Sequence, residues 1–167
     1  MEKTLKTFIK FDYLPHSDLI IDAVYKGGEK KHKGDDPICK IFPGTPNSGG
    51  FRRIGGVDSP RLLVNFSTLK DIDWPDSLDE ISGRFVYYGD NKTPGSDLHS
   101  TNKKGNLILK NIFENLHLNR RDKIPPIFIF TSTGERSNVR FRGLAVPGAV
   151  NLTSTEQKKI LIALFYN

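Results

Sequence analysis

Along residues 5–13 (LKTFIKFDY) apolar and polar positions roughly alternate, the period of a half-buried strand, and Pro15 stops the run. Ser17-Asp18 then offers a cap for a short helix through Val24, although the β-branched residues there also suit a strand. From Gly27 to Gly56 one apolar island, Ile38–Phe42, is surrounded by Gly, Lys, Pro and Asn, and PGTPNSGGFRR is expected to be a long loop too flexible to pack. Residues 61–66 (RLLVNF), 84–88 (RFVYY), 126–131 (PIFIFT) and 139–146 (VRFRGLAV) read as strands bounded by turn residues. Helical spacing marks two segments. One is Gly105–His117, with Leu107, Ile108, Ile112, Phe113 and Leu116 on a stripe; the other is Thr155–Tyr166, capped by Ser154 or Thr155.

Short strands, long loops and one central helix, without regular βαβ alternation, predict an α+β fold with a curled, mostly antiparallel sheet. No repeat or internal linker divides residues 1–167, so one domain is expected, with the last helix, about 154–166, able to lead into an effector domain. That length can bury a core but is short for a recognition domain plus a nuclease domain. No apolar run approaches the ~20 residues that span a bilayer. Residues 1–11 lack the apolar stretch and cleavage site of a signal peptide, and the lone Cys39 can form no internal disulfide. A cytoplasmic protein is expected.

Charge changes the picture modestly. Twenty-five Lys and Arg against nineteen Asp and Glu leave a net +6, which favours a polyanionic partner. The basic residues cluster at Lys30/Lys31/Lys33, Arg52/Arg53, Lys103/Lys104, Arg120/Arg121/Lys123 and Arg136/Arg140/Arg142, in polar or Gly-rich stretches, so loops are expected to carry phosphate contacts.

Catalytic chemistry finds little support in the chain. Gln157-x-Lys159 matches the tail of a nuclease signature, but residues 143–153 hold no Asp or Glu to bind Mg²⁺ upstream of it. His99 and Asn102 in DLHSTNKKGN lack a second histidine at ligand spacing, there is no phosphate-binding Gly-rich loop motif, and no Cys/His zinc spacing occurs. No metal or cofactor is expected, and the chain reads as non-catalytic.

Residues 71–95 (DIDWPDSLDEISGRFVYYGDNKTPG) are different. They hold the only Trp, two of the five Tyr and several Asp and Asn beside tight turns. Aromatics in such a context can stack on a planar ligand, while a carboxylate can accept from the exocyclic amine of a cytosine. The competing structural reading places Trp74 and Phe85 in the core and alternates Tyr87 and Tyr88 across a strand, so that only one of the two can face a pocket.

The strings IFPGTPNSGGFR (41–52), DWPDSLDEISGRFVYYGDNKTPGSDLH (73–99), KGNLILKNIF (104–113), PPIFIFT (125–131) and VRFRGLAVPG (139–148) together resemble the N-terminal recognition domain of modification-dependent restriction endonucleases of the MspJI and AspBHI type. The likeness covers about residues 15–148. It implies an SRA-like (SET and RING-associated) curled pseudo-barrel that grips duplex DNA and flips a 5-methylcytosine into an aromatic pocket. By motif the pocket residues are Trp74 and Asp90, with Tyr87 or Tyr88 as a second ring. The resemblance makes Asn47, Ser48, Arg52 and Arg53 of the PNSGGFRR loop candidates for base or phosphate contact, and the basic clusters add Lys103 and Lys104. It also implies a nuclease or GTPase effector domain or subunit as partner, and no membrane. Three alternatives remain: a reader of unmodified duplex sequence that does not flip, a small metal-dependent nuclease using Glu156/Lys159 or His99, and a basic interaction domain that does not touch DNA. On the pocket reading, replacing Trp74 or Asp90 with Ala is expected to remove the preference for modified DNA and spare thermal stability.

Overall fold

The computed structural model describes residues 7–30, 32–91, 93 and 95–148, and the backbone of 159–164. Its strands are β1 (Phe8–Ile9), β2 (Val24–Tyr25), β3 (Phe51–Gly55), β4 (Pro60–Ser67), β5 (Ser77–Asp79), β6 (Arg84–Tyr87), β7 (Ile127–Ser132), β8 (Val139–Pro147) and β9 (Lys159–Leu164); the helices are α1 (Pro37–Ile41) and α2 (Gly105–His117). The sheet runs β3-β4-β7-β8-β9-β6-β5, with β2 paired to β8 and β1 to β2. Among the described residues only β4–β7 and β1–β2 pair in parallel, so the expected α+β class and mostly antiparallel sheet are what the chain forms.

The sheet is curled around α2. Phe51 of β3 and Phe85 and Tyr87 of β6 lie far apart in strand order, yet they share one core cluster with Ile108, Leu109 and Ile112 of the helix. Leu63, Ile127, Ile129 and Ala145 from the strands between complete this cluster. The opposite face of β4, β7 and β8 (Val64, Phe130, Phe141) packs a second cluster with Tyr25, Leu14 and Ile38. The period-2 alternation of strands β4 and β7 divides these two sets.

Three expectations are corrected. Of the alternating stretch 5–13, residues 5 and 6 lie outside the described residues, and of the rest only Phe8–Ile9 is strand; Phe11–His16 forms a 3-10 turn, and Ser17 ends it, its N–H and hydroxyl both donating to the Leu14 carbonyl. The suggested helix through Val24 is therefore absent, and Val24–Tyr25 take the strand alternative. The stretch Gly27–Gly56 is not an unpacked loop. Asp36 caps α1 by accepting from the N–H groups of Ile38 (2.8 Å) and Cys39 (3.2 Å), with Pro37 in the first turn, and β3 pairs with β4 from Phe51 onward.

The third concerns the C-terminal segment. Residues 159–164 are a strand, paired antiparallel to β8 on one side and β6 on the other, in place of the helix expected over 155–166. KILIAL satisfies either period, and pairing on two sides satisfies its backbone groups within the sheet. Residues 154–158 and 165–166 lie outside the described residues. The strand β9 joins the β5–β6 hairpin, which carries part of the candidate site, to the central sheet.

Candidate functional site

At the end of β6, Gly89 adopts φ +81° and turns the chain toward the N-terminus of α2. There Asp90 is held at three points: its Oδ2 accepts from the Gly105 N–H (3.0 Å) and the Thr101 hydroxyl (2.7 Å), and its Oδ1 from the Asn106 N–H (2.9 Å). These are free N–H groups of a helix start, so the carboxylate is a cap as well as a candidate ligand group. Gly105 leaves the space for it, since a Cβ there would come within 2.8 Å of the Asp90 Cγ.

Asp90 opens onto a cavity of about 360 Å³ that Trp74, Tyr87 and Lys103 also line. Trp74 is half-buried, its indole N–H donating to the Asn91 carbonyl at 3.1 Å, which sets the ring against the wall. Tyr87 is only 4% exposed and stacks on Phe85 at 6.1 Å. Burial first, then the nearby Asp76 and Asp90 charges, push its hydroxyl well above the usual tyrosine range, so it stays a neutral donor.

Strand alternation decides between the two tyrosines. Tyr87 faces the cavity, whereas Tyr88 is not part of its lining and uses its backbone N–H to bind Asp76 Oδ1 at 2.8 Å. Asp71 and Asp76 flank Trp74 in the sequence and line the same cavity, as do Phe66 and Ser67, whose hydroxyl donates to Asp76 Oδ2 at 2.7 Å. Sequence reasoning misses these four. The D-x-x-W-x-D spacing is the available signal: Asp71 makes a turn by accepting from the Trp74 N–H, and Asp76 lies beyond Pro75.

The loop before β3 forms another wall. Lys103 Nζ donates to the Ser48 carbonyl at 2.7 Å, tying this loop to the start of α2. Burial, then the Arg52 charge, holds the Lys103 ammonium below its usual range, with Asp90 opposing the shift. Gly49 is favoured here by its φ of +86°, which L side chains rarely adopt.

Arg52 is placed differently from the other basic candidates. It is 4% exposed; its guanidinium donates to the Gly49 and Pro46 carbonyls at 3.0 Å each and pairs with Asp36 at 2.7 Å. It holds the loop from within. Asn47 faces a second cavity, of about 510 Å³, shared with Arg52, Asp35 and Arg136. Ser48 is exposed, Arg53 bonds the Gly55 carbonyl, and Lys104 precedes α2 in the left-handed region at φ 56°. In β8, Arg142 is engaged by Asp22 (2.7 Å) and Glu80 (2.9 Å), so it is an internal tie.

His99 has its N–H on Asp97, Lys159 lies opposite Tyr87 in the β6–β9 register, and Glu156 lies outside the described residues. Among the described residues no cluster of three or more His, Cys, Asp or Glu could hold a metal ion, and no helix is long and apolar enough to cross a membrane.

The family described as restriction endonuclease AspBHI N-terminal matches residues 19–166. Among solved structures, the DNA recognition domain of the cytosine modification-dependent restriction endonuclease LpnPI is 40% identical, with a TM-score of 0.83 over 96% of this chain and 79% of its own. The DNA modification-dependent restriction endonuclease AspBHI is also 40% identical, with a TM-score of 0.85 over 95% of this chain and 81% of that one. MspJI restriction endonuclease in complex with a 27-mer oligonucleotide shares the fold at 17% identity and a TM-score of 0.57, over 87% of this chain and 42% of that one. None of the curated proteins matches the chain. With a match over most of its length and two relatives at this identity, the chain belongs to the family of AspBHI-type restriction endonuclease N-terminal domains.

Proposed function

We propose that this domain recognises modified cytosine in duplex DNA, taking the base out of the stack into the cavity lined by Trp74, Tyr87 and Asp90, and that it serves as the specificity module of a restriction system without itself cutting DNA. The observation that carries this reading is the convergence of an indole, a neutral phenol and a helix-anchored carboxylate on one open cavity of about 360 Å³. Relatives named for DNA modification dependence support it. A carboxylate has about four acceptor positions. Three are filled at Asp90, and the remaining one, on Oδ1, can accept from the cytosine 4-amino group.

Energetics then assign the rest. Extruding a base costs a few kcal/mol, and stacking on an aromatic returns about 1–3 kcal/mol, so phosphate contacts must contribute the remainder. Exposed or half-exposed groups are assigned that role: Lys103, which lines the cavity, with Ser48, Arg53 and Lys104, and Asn47 on the second cavity. Arg52 keeps the loop in shape for them. Binding is therefore strongly salt-dependent.

The test is direct. A labelled duplex with one central 5-methylcytosine is titrated beside its unmethylated twin at about 150 mM salt. Tighter binding of the methylated duplex is expected. Equal binding of both overturns the reading, and methylation-independent selection of one short sequence would replace it with a reader of unmodified DNA.

A further inference from the structure

Every acidic group at the cavity can only accept hydrogen bonds, yet a neutral cytosine presents acceptors, N3 and O2, beside its amino group. A pocket for that edge needs a donor. The Ser67 hydroxyl is committed to Asp76 and one of the three Lys103 Nζ donors to the Ser48 carbonyl, while the Tyr87 hydroxyl can serve one of the two ring acceptors, which leaves the other to be matched.

Asn65 lies in the middle of β4, 0% exposed, and neither its Oδ1 nor its Nδ2 has a partner among the described residues. It shares a strand face with Ser67, two residues on, which lines the cavity. Its register partner in β3 is Phe51, which lines the same cavity, and its partner in β7 is Ile129, which belongs to the core under α2. The amide thus sits behind the residues that line the cavity, between them and that core. A buried amide without partners destabilises a fold by about 1–3 kcal/mol, and leucine or valine is the ordinary residue at such a strand position. A fold that retains it in this place is explained if its partner comes with the ligand.

We infer that Asn65 is a specificity-determining residue, whose amide forms the concealed polar floor of the cavity and supplies the donor for the ring N3/O2 edge of the extruded base. This rests on the modified-cytosine reading above and names the group that reads the edge Asp90 cannot.

The experiment compares Asn65→Val with Asn65→Thr, two variants of nearly one shape that differ by a hydroxyl donor. Each is melted, then titrated with the methylated duplex and its unmethylated twin. The Val variant is expected to melt at or above the wild-type temperature and to lose about tenfold of its preference for methylated DNA, with unmethylated binding unchanged; Thr should recover part of that preference. Two results overturn the inference: preference retained in Asn65→Val, or preference lost together with a fall in melting temperature of more than a few degrees, which would make the amide a structural group. Wild-type protein is the control that separates the two readings. If it shows no preference, the modified-cytosine reading itself fails; if it does and Asn65→Val keeps it, only the role of Asn65 falls.

Discussion

Asp90 and Asn106 hold each other by reciprocal hydrogen bonds: the Asn106 N–H donates to Asp90 Oδ1 at 2.9 Å, and the Asp90 N–H donates to Asn106 Oδ1 at 3.2 Å. Asn106 also donates from its amide to the Leu98 carbonyl, so one buried side chain ties the end of β6, Leu98 and α2 together. The carboxylate that faces the cavity is therefore part of the frame. This revises the expectation that Asp90→Ala would spare stability. Losing a cap of this kind costs about 1–2 kcal/mol, or roughly 3–8 °C in melting temperature for a domain of this size. Asp90→Asn keeps one acceptor oxygen for the helix but loses acidity at the cavity, so thermal melts should show a smaller loss while the preference for methylated DNA still disappears. Equal stability of the Ala variant and wild type would contradict the capping role.

Trp74 is the cleaner probe. Its ring is half-buried and outside both core clusters, and its indole N–H is held by the Asn91 carbonyl at the cavity wall. Trp74→Ala should lower the affinity for a methylated duplex by about tenfold to a hundredfold, the equivalent of one stacked base, with little change in affinity for unmethylated DNA. Fluorescence anisotropy on both duplexes measures this. A proportionate loss on both would show that the indole is not selective.

Alkaline pH should report the Tyr87 environment. Burial raises its folded ionisation above the unfolded value of about 10, so the unfolded chain releases this proton first. Stability is then fully present below about pH 10 and falls as pH rises beyond it, by up to ~1.4 kcal/mol per pH unit. Tyr25, also raised by burial, contributes in the same direction and persists as background. Urea midpoints between about pH 9 and 11 should fall less in Tyr87→Phe than in wild type. Parallel slopes would mean the phenol is not desolvated.

Legibility in the sequence differs from element to element. Strands 61–66, 84–88, 126–131 and 139–146 and the helix Gly105–His117 carry strong periodicity, and each forms within a residue or two of its expected place. The segment 159–164 does not announce its state, because an aliphatic run fits a helix stripe and a doubly paired strand alike, and the neighbours β6 and β8 decide. The Gly-rich run 43–50 reads as unpackable because its organiser, Arg52, acts through backbone carbonyls, which composition does not reveal. At the site, alternation limits the tyrosines to one, but which one depends on the sheet's curl. Asp71 and Asp76 stay hidden because a turn-forming aspartate and a cavity-lining one have the same sequence appearance.

The two adjacent arginines should separate structure from binding. Arg52 pairs with Asp36 in a place where both are largely shielded from water, at 4% and 16% side-chain exposure, and it also satisfies two loop carbonyls. Arg52→Ala leaves Asp36, itself the cap of α1, with a desolvated charge and no guanidinium beside it, so a loss of ~3 kcal/mol is expected from breaking such a pair. Melting temperature should drop sharply, and DNA affinity should fall only as the loop loses its shape. Arg53→Ala and Lys104→Ala touch groups nearer the surface and should melt within about 2 °C of wild type. Their effect should instead be a uniform weakening across methylated and unmethylated duplexes, with the slope of log K against log salt reduced by about one for each phosphate no longer neutralised. Titrations at several salt concentrations, run beside thermal melts of the three variants, give both readouts. An Arg52→Ala protein that melts like wild type but loses one unit of salt slope would place Arg52 on the phosphate backbone after all.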